Sequence, residues 1–151
     1  MKFNNGAWLM RPGVTSHNCE QIRDVRLSED RRSLWLFAVG YREEVRSMEG
    51  AVLEITVTAP GTDMIRVQTV HHKGQRPKPK FDLNIQNIPL DVTQESNTIV
   101  VRSGNTRLVI TKNPCSFTWY YGEDRLTDTC TLSHMDTPEG EFLRCQLSVD
   151  V

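Results

Sequence analysis

The chain has 151 residues, 38% of them hydrophobic and 25% charged, with 18 basic against 19 acidic side chains and a formal net charge of −1. That balance describes one ordinary globular domain, burying roughly 70% of the surface its unfolded form exposes. Without a basic excess, nothing argues for a nucleic-acid backbone or an anionic membrane surface as partner, and no run approaches the roughly 18 apolar residues of a bilayer span.

Near the start, "MKFNNGAWLMRPGV" carries Trp8 between Gly6 and Pro12. Its apolar stretch "AWLM" is too short for a signal-peptide core, which predicts a cytoplasmic protein. From there the dominant period is two. Val25 and Leu27 alternate in "RDVRLS", and "SEDRRSL" reads as a charged hairpin loop. "SLWLFAV" is continuously apolar, which predicts a strand buried on both faces, with Trp35 in the core. "AVLEITVTA" places Ala51, Leu53, Ile55, Val57 and Ala59 on one face. "PGTD" then turns the chain into "MIRVQTV", where Ile65, Val67 and Thr69 share a face. The stretch "HHKGQRPKPKFDLNIQNIPLDV" reads as a long loop, because Pro77, Pro79 and Pro89 forbid a central strand.

A second hairpin follows in "NTIVVRSGNTRLVITK", turning at Ser103, Gly104 and Asn105. "CSFTWYY" puts Cys115, Phe117, Trp119 and Tyr121 on one face, with Trp119 expected in the core beside Phe117. "YGEDRL" turns the chain, and Leu126 begins a short return segment. In "EGEFLRCQLSVDV", Leu143, Cys145, Leu147, Val149 and Val151 alternate with more polar neighbours. About nine or ten short strands, with turn signals about every 8–12 residues, predict an all-β antiparallel β-sandwich spanning residues 1–151 as a single domain.

Few constellations suggest chemistry. Cys19, Cys115, Cys130 and Cys145 are widely spaced without a C-x-x-C pair, which reads as reduced, buried thiols. Adjacent His71 and His72 point to opposite faces of a strand, His17 and His134 are distant, and no metal site or cofactor is expected. Lys73, Arg76, Lys78 and Lys80 read as a solvated loop. Asp136, Glu139 and Glu141 crowd "HMDTPEGE", where Pro138 and Gly140 imply a loop with exposed acids. No G-x-S-x-G or Gly-rich phosphate loop occurs.

The order of segments carries more than any one of them. "KFNNGAWLMRPGV" followed by "IRDVRL", then "FDLNIQ", then "VVRSGNTRLVITKNPCSFTWYYGEDRLT" with its S-G-N and G-x-x-L-T turns, and finally "MDTPEGEFLRCQLSVDV", resembles the N-terminal part of bacterial α-xylosidases of glycoside hydrolase family 31. The resemblance implies a galactose mutarotase-like β-sandwich ahead of a catalytic (β/α)8 barrel that lies outside these residues. The barrel would hold both catalytic aspartates for retaining hydrolysis of terminal α-linked sugars, so no catalytic residue is assigned in this chain. The domain would pack on the barrel and contact another subunit of a homo-oligomer. It would also shape the pocket for an α-linked oligosaccharide through a rim of His134, Met135, Asp136, Thr137, Pro138 and Glu139, continuing to Glu141. Two other readings are an independent carbohydrate-binding module, which needs exposed aromatics in a line, and a mutarotase-like epimerase. The epimerase needs an acid/base pair, and the sequence gives His71, His72 and His134 no evident carboxylate partner.

Overall fold

The computed structural model describes residues 12–40, 52–71 and 85–148. Among these residues all regular structure is β. The strands are β1 (Thr15–Asn18), β2 (Gln21–Leu27), β3 (Ser33–Val39), β4 (Val52–Gly61), β5 (Met64–Val70), β6 (Asp91–Gln94), β7 (Thr98–Ser103), β8 (Thr106–Thr111), β9 (Ser116–Tyr121), β10 (Asp124–Thr137) and β11 (Gly140–Leu147). They form two antiparallel sheets. One runs β2-β3-β4-β5; the other runs β1-β10-β9-β8-β7-β6, with β11 also paired to β10.

Alternation decides which side chains lie between the sheets. Leu53, Ile55, Val57 and Ala59 of β4 are fully buried. They join Leu34, Leu36 and Ala38 of β3 and Ile99, Val101, Leu108, Ile110, Phe117 and Leu132 from the other sheet in one cluster. Each buried aliphatic side chain of this size contributes about 1.5–3 kcal/mol relative to exposure. The sandwich predicted from the period-two pattern is therefore the observed architecture, and Trp119 packs against its core as expected.

Both predicted hairpins form, and their turns grip each other. The β4–β5 turn holds Asp63 at φ 61°, and the β7–β8 turn holds Gly104 at φ 57°. Asn105 donates its backbone N–H to the Asp63 carboxylate. Thr106 Oγ1 donates to the Asp63 carbonyl at 2.7 Å, and Ser103 Oγ donates to the Gly61 carbonyl at 3.0 Å. The charged Ser28–Arg32 segment is the expected hairpin loop: Ser28 Oγ bonds Asp30 at 2.7 Å, and the Ser33 N–H reaches Ser28 Oγ at 3.0 Å.

The structure corrects several sequence expectations. β3 is buried on one face only. Trp35 and Phe37 lie on its outer side, stacked at 5.9 Å, with the Arg26 guanidinium 5.1 Å from the Trp35 ring. An aromatic pair that covers itself and a cation makes an outward face look apolar in sequence. The expected short return segment after "YGEDRL" is the 14-residue β10. The long loop is partly strand, since Asp91–Gln94 form the edge strand β6 two residues after Pro89. Pro77 and Pro79 lie outside the described residues, as does Ala51. The final strand forms, but its apolar row is not covered: Leu143 is 41% and Leu147 50% exposed.

Cys145 is exposed rather than buried, whereas Cys19 is buried and Cys115 partly so; all three are free thiols. The Cys19 and Cys115 thiols lie within hydrogen-bonding reach of each other. Their hydrogen bond, and then burial, push Cys115 far above the ordinary thiol range, while the same bond lowers Cys19. Thiolate is the reactive form, so burial and protonation both slow reaction at Cys115. In the native protein at pH 8, a maleimide reagent is expected to modify Cys145 at least tenfold faster than Cys115. Peptide mapping of the labelled sites checks this.

Candidate functional site

β10 and β11 form a hairpin whose pairs include Asp136 with Glu141 and Thr137 with Gly140. On the other side of β10, His17 of β1 lies directly opposite His134. Directly opposed residues share a face, and so do residues two apart on a strand. Leu132, His134, Asp136 and Glu141 therefore share one face, which begins in the core at Leu132 and ends in solvent.

"HMDTPEGE" is thus not a loop. Its outer residues belong to two strands and only its centre turns. Turn chemistry at Pro138 and Gly140, with Gly140 at φ 135°, masked the strand residues on either side. The turn is closed by Thr137, whose Oγ1 donates to the Gly140 carbonyl at 2.9 Å and accepts the Glu139 N–H at 3.2 Å. Pro138 sits over Gly13, where an added Cβ would lie 3.4 Å from Pro138 Cγ. Of the six predicted rim residues, His134 and Met135 are buried, Asp136 and Thr137 are half-buried, and Pro138 and Glu139 are exposed.

A polar cluster forms where this hairpin meets the other sheet. His134 is 4% exposed, and its Nε2 is buried without a hydrogen-bond partner. That nitrogen lies 3.6 Å from Glu141 Oε2 and 3.9 Å from Asp136 Oδ1. His71, immediately after β5, brings its ring centroid to 3.7 Å from that of His134, tilted by 33°. His71 Nδ1 is 2.8 Å from the Val52 carbonyl oxygen. A carbonyl can only accept, so Nδ1 carries the proton and Nε2 keeps a lone pair in the neutral ring. His134 therefore has two carboxylates beside it, contrary to the expectation from sequence. The missing signal was register: once 136 and 141 are opposed, the acids fall on the histidine's face. His72, the basic stretch Lys73–Lys80 and Trp8 lie outside the described residues.

The other end of β11 is stitched to β10. The Ser148 N–H donates to the Asp128 carbonyl at 2.8 Å, and Thr127 Oγ1 donates to the Ser148 carbonyl at 2.8 Å. The Asp128 carboxyl is held below the ordinary range by a Ser148 hydrogen bond and by Arg125, 2.7 Å away. Between these anchors β11 presents Phe142, Leu143 and Leu147 to solvent, each more than 40% exposed. A shallow groove elsewhere is lined by Asp30, Arg32, Gln86 and Asn87 and contains none of the rim residues.

This geometry sits within a recognisable family frame. The profile of the glycosyl hydrolase 31 N-terminal galactose mutarotase-like domain matches residues 52–135, more than half of the chain. The chain belongs to that family. Among solved structures, this galactose mutarotase-like domain is similar to an uncharacterized protein of Listeria monocytogenes EGD-e, at TM-score 0.59 and 12% identity over 82% of this chain and 11% of that one. The same Listeria protein in complex with α-D-glucose, β-D-glucose, magnesium and calcium matches equally well. So does the cycloalternan-forming enzyme from Listeria monocytogenes in complex with pentasaccharide substrate, again with TM-score 0.59, 12% identity, and 82% and 11% coverage. At that identity the likeness is one of fold. No curated protein matches the sequence. The chain spans about a tenth of the length of the solved structures it resembles, 11%.

Proposed function

We propose that this galactose mutarotase-like domain is the non-catalytic N-terminal part of a longer retaining α-glycosidase of the α-xylosidase type, acting on terminal α-linked sugars. The observation that carries the reading is the family match over residues 52–135, in a chain that corresponds to 11% of a glycan-processing enzyme of the same fold. The uncovered side chains Leu143 and Leu147, which share one face of β11, support a role for this strand in packing on a catalytic barrel. The projecting turn with Asp136, Thr137, Pro138 and Glu139, backed by His134 and Met135, supports a role at the rim of the sugar pocket. Carboxylates at such a rim hydrogen-bond sugar hydroxyls without taking part in bond cleavage.

The isolated 151-residue chain is expected to show no turnover of aryl α-xylosides or aryl α-glucosides. In a chain that includes the barrel, Asp136→Ala and Glu139→Ala are expected to raise KM several-fold with little change in kcat. Turnover by the isolated chain would overturn the proposal, as would an unchanged KM in both variants.

One observation favours a second reading, an independent carbohydrate-binding module. Trp35 and Phe37 stack on the outer face of β3, a half-exposed aromatic platform. Titration with xylosyl and glucosyl oligosaccharides decides it: saturable binding lost in Trp35→Ala supports the module, and no binding at millimolar ligand removes it.

A further inference from the structure

The cluster between the sheets is arranged for a metal. His71, His134 and Glu141 each offer one ligand atom, all within 4.8 Å of one another. We propose that these three residues form a binding site for a zinc-class divalent cation, which ties the end of β5 to the β10–β11 hairpin. Asp136 stands beside it as a further oxygen donor.

Four observations converge. First, His134 Nε2 is buried and unpartnered, and it faces the other candidate ligands. A buried polar nitrogen left without a partner is destabilising, and a bound cation removes that cost. Second, the carboxylate distances of 3.6 and 3.9 Å are too long for hydrogen bonds. They are close to the separation of about 3.4 Å between two ligand atoms on a tetrahedral ion with bonds of about 2.1 Å. Third, His71 is already oriented as metal-binding histidines are, one nitrogen donating to a backbone carbonyl and the other left with its lone pair. Fourth, the donors differ in freedom. His134 is fixed by burial, whereas the Glu141 side chain is 62% exposed and can close the remaining distance by a rotamer change.

The donor set selects the metal class. Two imidazoles and one carboxylate suit zinc, whereas magnesium and calcium require mainly oxygen ligands. Three protein ligands leave a fourth position for water or a substrate oxygen. The ligands come from both sheets, so the ion links them directly. His71 hydrogen-bonds the first residue of β4, and His134 and Glu141 lie on the β10–β11 hairpin.

The test is calorimetric titration of the metal-stripped 151-residue chain with zinc chloride, alongside thermal melting with and without zinc. One zinc per chain is expected, at micromolar affinity or tighter, with Tm raised by about 5 °C or more at saturating metal. Cobalt(II) is expected to give visible d–d absorption of low-coordinate geometry, and magnesium is expected not to displace zinc. Glu141→Gln and His71→Ala change side chains that are not fully buried, so both variants are expected to fold and to bind zinc at least tenfold more weakly. No binding at 1 mM zinc (about 4 kcal/mol at that Kd) overturns the proposal, as does binding that neither variant weakens. A failure here leaves the glycosidase reading standing, because that reading rests on turnover and KM rather than on metal.

Discussion

Gly104→Ala is expected to destabilise the domain by about 3 kcal/mol, and Gly122→Ala by only about 1 kcal/mol. The two glycines share a backbone conformation, with φ of 57° and 58°. An alanine at either position therefore carries the same left-handed penalty. Their surroundings differ. At Gly122 nothing lies within 4 Å of where an added methyl group would sit, so only the backbone penalty remains. At Gly104 an added Cβ would overlap the Asp63 carboxylate oxygen and sit 3.0 Å from Thr62 Cγ2. Relief of that overlap pushes Asp63 away and weakens the bonds from Asn105 and Thr106 that join the two turns. Urea unfolding of both variants against the parent measures the difference. Equal losses would show that the turns do not depend on each other.

Leu36→Ala is expected to cost about 3–4 kcal/mol, and Trp35→Ala about 1–2 kcal/mol, although tryptophan is the larger side chain. Leu36 is fully buried at the centre of β3, opposite Val25 on one side and Ile55 on the other. Its truncation leaves a cavity that strands held on both sides cannot collapse to fill. Trp35 faces outward. Its loss removes the stack with Phe37 and the Arg26 contact but opens no cavity between the sheets. Denaturant midpoints at unchanged m-value test the ranking. The reverse order would mean that the outer face of β3 is covered.

These contrasts also show what the sequence made legible. The turns at Thr62–Asp63 and Gly104–Asn105 were readable because turn chemistry is local: glycine, asparagine and aspartate tolerate the required backbone angles wherever they occur. The buried face of β4 was readable because Glu54, Thr56 and Thr58 mark the opposite face. β3 was not, because Trp35 and Phe37 stand where polar residues usually mark the outside. At the candidate site, His134, Asp136 and Glu141 were each visible as residues, but their shared face depended on hairpin register, which proline and glycine concealed. His71 joins them from a distant part of the chain through sheet packing, and no local pattern encodes that approach.

β10 pairs with β9 through its first residues and with β1 and β11 through its last, with irregularities between Arg125 and Thr127 and between Thr129 and Thr131. Fourteen residues of extended backbone reach roughly 45 Å. Mechanically, this makes β10 a beam with two joints. One end is built into the sheet that frames the core, and the other carries the hairpin outward. A displacement of the Thr137–Gly140 tip is passed along this one strand toward β9, and the two register shifts are the places where its ladder is interrupted and the strand can bend. The tip's position is thereby set by the sheet from which it extends.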